Sequence, residues 1–103
     1  MKEQVYISCD AFAGHNALKI SARYDKGEWN RPRGYYLTIM AVQREPQFEA
    51  YSSDSPYQRY LVERVERKNP TKYKAFVEKI NRNAQKIADA FVGKRFDEVW
   101  QYV

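Results

Sequence analysis

A chain of 103 residues with 18 Lys and Arg against 13 Asp and Glu carries a formal charge of +5 and suits one small basic domain, 1–103. Its 44% hydrophobic and 16% aromatic content excludes a disordered tail, four Gly and four Pro exclude a collagen-like or linker sequence, and one Cys with one His excludes an internal disulfide and a Cys/His zinc site. No stretch approaches the roughly 18 apolar residues of a membrane span and the first residues lack an apolar signal core, so the expectation is a cytoplasmic protein without metal or cofactor.

Residues 1–52 read mainly as strands, because apolar side chains recur there with period 2. Val5, Ile7 and Cys9 fall on one side of a first strand; Leu18, Ile20, Ala22 and Tyr24 alternate with Lys19, Ser21 and Arg23 in a second. Each of these two is expected to keep a wet face. The third run, Gly34 to Arg44, is apolar on both sides, as a central strand covered twice would be. Glu45-Pro46-Gln47 interrupts it, and Phe48 to Tyr51 reads as a short returning strand.

From Ser55 the period changes. Ser55-Pro56-Tyr57-Gln58 has the form of an N-cap, a first-turn proline and a capping-box glutamine, which predicts a helix over 56–68; the competing reading is a fifth strand through Leu61 to Val65. Asn69-Pro70 then opens a long helix whose stripe is Tyr73, Phe76, Val77, Ile80, Ala84, Ile87, Ala88 and Phe91, with Gly93 to stop it. Phe96, Val99, Trp100 and Val103 repeat the spacing of a short terminal helix pinned by Phe96 and Trp100. Residues 53–103 are thus mainly helical. The class is α+β: an antiparallel sheet of four strands, or five if 61–65 is extended, with a long helix and a short C-terminal helix on one face.

Few residues suit catalysis. Cys9, Asp10 and His15 are close enough in sequence for a thiolate with an imidazole base, but Cys9 also continues the Val5 and Ile7 face, where it would act as a small hydrophobe, with His15 in a turn. No glycine-rich phosphate loop is present. The pairs Glu63 with Arg67 and Glu78 with Arg82 fit solvated helix faces. A ribonuclease-like toxin working through Lys, Arg and Tyr is the reading from the enzyme class, although a non-enzyme is expected.

Two surfaces suit binding. Residues 53–103 carry eleven bases and seven acids, against seven and six in 1–52, so the basicity is read as helical. Lys72, Lys79, Arg82 and Lys86 form a ridge along one flank of the long helix, suited to phosphates or to an acidic protein surface. The segment Gly27 to Tyr36 places Trp29, Arg31 and Arg33 in a turn between strands, where binding residues concentrate. Tyr36, with Tyr6, Tyr51 and Tyr57, falls on a less apolar side or near an element end and is a candidate for an aromatic platform with the arginines.

Arg33-Gly34-Tyr35-Tyr36-Leu37-Thr38-Ile39, then Tyr51-Ser52-Ser53-Asp54, then a basic stretch into one long helix, resembles short proteins encoded on phages and conjugative elements of Gram-positive bacteria. That resemblance implies a non-catalytic role: binding DNA, regulating the element, or blocking a host defence nuclease such as a CRISPR effector. A charge of +5 departs from acidic DNA mimics, so an inhibitor of this kind would occlude an acidic protein surface or a bound guide RNA. The leading expectation is a non-enzymatic interaction domain that docks through Trp29, Arg31, Arg33, Tyr36, Lys72, Lys79, Arg82 and Lys86 on an acidic protein or nucleoprotein. Direct DNA or RNA binding by the same residues is the alternative.

Overall fold

The computed structural model describes residues 3–10, 15–44, 49–50, 62–72 and 74–103. Five antiparallel strands form one sheet: β1 (Glu3–Ser8), β2 (Ala17–Asp25), β3 (Gly34–Arg44), β4 (Glu49–Ala50) and β5 (Val62–Glu66). Their order is β1-β2-β3, with β4 and β5 both paired to β3: β4 lies against Gln43 and Arg44, β5 against Tyr35 to Ile39. Three helices follow, α1 (Ala75–Arg82), α2 (Ala84–Val92) and α3 (Phe96–Val99), and the chain ends in a 3-10 turn at Trp100–Tyr102.

The register explains why this is an α+β protein. Val5 lies opposite Ile20 and Ile20 opposite Ile39; Ile7, Leu18 and Ala41 form the next row. These rows put every large apolar side chain of β1 and β2 on one face, where Phe76, Ile80, Ile87, Phe91 and Val99 of the helices pack against them. Leu18, Ile20, Ile39, Ile80, Ile87, Phe91 and Val99 are wholly buried. Each such side chain contributes about 1.5–3 kcal/mol relative to its exposed state.

β3 is buried on both faces, with Leu37 and Ile39 toward the helices and Tyr36 and Val42 away from them. The expectation for β2 needs correction. Lys19 and Ser21, assigned to a wet face, are buried, on a strand flanked by β1 and β3. Ser21 and Thr38 satisfy each other across the strands by a 2.7 Å hydroxyl hydrogen bond, as burial of polar groups requires.

The largest revision concerns the second half. No helix covers 62–68: residues 62–66 are strand β5, so the competing reading holds there, while Pro56 to Leu61 and Tyr57 lie outside the described residues. Pairing with the open edge of β3 outweighs the weak helical stripe of this segment. Nor does Asn69 cap a helix. Its Oδ1 accepts hydrogen bonds from the Thr71 N–H and hydroxyl, forming a local turn, and α1 begins only at Ala75.

The long helix is interrupted at Asn83, whose φ of −103° and ψ of 15° lie off the helical values. Asparagine side chains compete with the helical backbone, which makes this a favourable break point. Val77 of the expected stripe is exposed, and Tyr73 lies outside the described residues. At the end of α2 the left-handed residue is not Gly93, whose φ is −77°, but Lys94, at φ 60°. The Lys94 N–H donates to Phe91 and the Arg95 N–H to Ala90, which is the Schellman pattern shifted one residue past the glycine. The docked C-terminus is present as expected. Val99 is fully buried, Phe96 packs edge-on against Phe91 at 5.3 Å, and Trp100 lies half-buried against the core.

Candidate functional site

The β2–β3 connection, residues 26–33, is a tied loop. Asp25 starts it: its carboxylate accepts the Gly27 N–H at 2.9 Å and lies 3.4 Å from Arg23 and 3.6 Å from Arg31. The Gly27 hydrogen bond, with help from the two arginines, holds the Asp25 carboxyl below its ordinary pKa. Arg31 reaches across to Glu63 of β5 at 3.4 Å and lies over the Tyr36 ring at 4.5 Å. The Tyr36 hydroxyl donates to the Pro32 carbonyl at 2.6 Å, and the Arg33 Nε donates to the Lys26 carbonyl. Gly27 is required here, since its φ is +81° and a Cβ would come within 2.9 Å of the Arg33 nitrogen.

At the tip the Arg31 N–H donates to the Glu28 carbonyl, closing a four-residue turn with Trp29 and Asn30 in the middle. Trp29 has φ 60°, a sign that glycine adopts freely and a bulky side chain rarely does. Trp29 is also 98% exposed. A tryptophan that buries nothing and sits in a strained backbone region contributes nothing to folding at this position.

Tyr36 must be withdrawn as a contact residue. It is 2% exposed, held between the arginines and Pro32, and its role is to brace the loop. Arg31 is partly exposed but committed to Asp25, Glu63 and Tyr36. Trp29 and Arg33 remain exposed. Tyr6 is half-buried on β1, and Tyr51 and Tyr57 lie outside the described residues.

The cationic ridge is also revised. Lys72 precedes α1 rather than lying on it. The Lys79 ammonium donates to the Val103 main-chain oxygen at 3.2 Å and the Lys86 ammonium lies 5.6 Å from the centre of the Tyr102 ring, so both hold the C-terminal turn. Arg82 is exposed in the last turn of α1. Lys72 therefore lies off the helix, and Lys79 and Lys86 are turned toward the C-terminal residues.

Basicity gathers elsewhere. Residues 23–36 and 62–74 carry nine Lys and Arg against four Asp and Glu, a surplus of five that equals the formal charge of the whole chain. Both segments lie at the hairpin end of the sheet, since Tyr35 pairs with Glu66 and Asp25 with Gly34. All four acids are already engaged: Asp25 with Arg23 and Arg31, Glu28 with Lys26, Glu63 with Arg31, and Glu66 with Arg64. The expected pair of Glu63 with Arg67 does not form among the described residues, because an extended chain sets residues four apart about 13 Å from each other and Glu63 pairs with Arg31 instead.

Beside the loop, Tyr35, Arg67, Lys68, Asn69 and Lys72 line an open pocket of about 650 Å³. Tyr35 is half-buried, with its ring centre 5.2 Å from that of the exposed Tyr24. Arg67 and Lys68 were visible in the sequence only as parts of a supposed helix face. Their convergence with Tyr35 depends on the long-range pairing of β5 with β3.

Cys9 and His15 flank residues 11–14, which lie outside the described residues. Burial, and then the charges of Asp10 and Asp89, push the Cys9 thiol up, away from the thiolate that attack requires. Cys9 packs against the core cluster, and His15 is buried. Among the described residues no group of three His, Cys, Asp or Glu side chains could hold a metal, and no helix is long and apolar enough to cross a membrane. Comparisons with family models, curated proteins and solved structures return no match for this chain.

Proposed function

We propose that this chain is a non-catalytic interaction domain that docks on an acidic protein surface, free or within a nucleoprotein, with Trp29 as anchor and Arg33 beside it. One observation carries the reading: Trp29 is 98% exposed at the tip of a braced loop, in a backbone conformation that favours glycine. Large indole side chains lose little rotamer freedom on binding and dominate interface energies together with arginine. The loop is ordered before contact, which limits the entropy cost of docking. The uncompensated positive charge at this end would steer an acidic partner toward it. Arg31 and Tyr36 act as positioning residues.

Capture from a bacterial lysate on immobilised wild-type chain, Trp29→Ala and Arg82→Ala tests the reading. The expected result is a partner retained by wild type and Arg82→Ala, resistant to nuclease treatment and lost with Trp29→Ala. Equal capture by wild type and Trp29→Ala would contradict it. Direct duplex binding, which the exposed Arg67 and Lys68 favour, would instead show a log–log salt slope of about −0.9 per neutralised phosphate.

A further inference from the structure

The pocket beside the loop has a chemistry of its own, separate from the Trp29 anchor. Among the described residues that line it, Arg67, Lys68 and Lys72 are cations and none is acidic. Arg67 and Lys68 have no carboxylate partner among the described residues, and the four acids at this end of the sheet are committed to other bases. The site therefore selects for an anion. An arginine fork offers paired N–H donors to phosphate, and the two lysines add compact charges.

The remaining two residues narrow the class. Tyr35 supplies an aromatic side chain to the lining, held in a tilted contact with Tyr24 at 5.2 Å, and a planar ring is the natural partner of such a group. Asn69 is fixed in place by its bonds to Thr71, which leaves its amide N–H groups as oriented donors. The volume, about 650 Å³, falls in the range of roughly 300–1,000 Å³ typical of small-molecule sites. We infer that this pocket binds a nucleoside phosphate, with its base on Tyr35 and its phosphate on Arg67 and Lys68.

The shared chemistry has two sources, a free mononucleotide or an exposed residue of a single-stranded nucleic acid. Titrations followed by NMR separate them, with adenosine 5′-monophosphate, ribose 5-phosphate, adenosine and an eight-residue oligothymidylate as probes. The monophosphate is expected to shift the signals of Tyr35 and residues 67–72, and to bind at least tenfold more tightly than ribose 5-phosphate or adenosine. Arg67→Ala and Lys68→Ala, at exposed positions where folding is not at stake, should each weaken it at least fivefold. Tighter binding of the oligothymidylate, with a salt slope of about −0.7 per phosphate, identifies a strand as the source; weaker binding identifies a free nucleotide.

No shift with the monophosphate, equal binding of ribose 5-phosphate, or unchanged affinity in both variants would overturn the inference. It stands apart from the docking reading. Trp29→Ala should leave monophosphate binding intact, and absence of partner capture by wild type, with monophosphate binding retained, would count against the docking reading alone.

Discussion

Trp29 occupies a position where glycine would relieve the backbone, and left-handed geometry costs an ordinary residue roughly 1–2 kcal/mol. Trp29→Gly should therefore leave the chain as stable or more stable by about 1 kcal/mol in urea unfolding, while losing the partner. Lys94 is the control for this logic, because it is left-handed at a helix end with no proposed binding role. Lys94→Gly should raise stability by about 0.5–1 kcal/mol with docking unchanged. Asp25 gives the pH dependence. A carboxyl with a lowered folded pKa binds its proton less readily when folded, so its contribution is complete above the ordinary value of 3.8 and is lost as pH falls from there through the folded value. Acid titration should broaden the NMR signals of residues 25–33 in that window, and Asp25→Asn should abolish the transition.

Among the elements, the strands of the first half were legible because alternation over five or more residues has one structural meaning. The row of Val5, Ile20 and Ile39 follows directly from it. The helices were legible as a core-facing stripe but not in their limits, since Asn69 and Asn83 serve turns and breaks as well as caps. β5 was ambiguous for a deeper reason: its state is decided by an edge of β3 that lies more than twenty residues away. The close approach there is visible at Gly34, where a Cβ would come within 2.8 Å of the Glu66 carbonyl oxygen and of Val65. Gly34→Ala should force β5 outward and cost about 1–3 kcal/mol, read as a lower urea midpoint with an unchanged slope. β5 is also tied to the C-terminus, because the Arg64 guanidinium lies 5.0 Å from the centre of the Trp100 indole and donates to the Trp100 carbonyl at 3.5 Å.

For the molecule as a whole, net charge was legible and its location was not. The sequence assigns the surplus to helices, yet the segments that hold it are the β2–β3 hairpin and the β5 strand with its following turn. Lysines on a helical wheel look free, and Lys79 and Lys86 are folded back onto the C-terminal turn. The Trp29 turn was the part of the site that sequence reasoning located, since Gly27, Pro32 and Gly34 mark a loop around an indole and two arginines. The pocket was beyond it, being built from residues 35 and 67–72.

An exposed indole set in positive charge can be tested without any partner, by fluorescence quenching of wild type and Trp29→Phe, with half-buried Trp100 left as the internal reference. Iodide should quench a red-shifted component of wild type several-fold more strongly than caesium, and that component should vanish in Trp29→Phe. A Trp29 emission that is blue-shifted and resists iodide, or one that caesium quenches as well as iodide, would contradict the account.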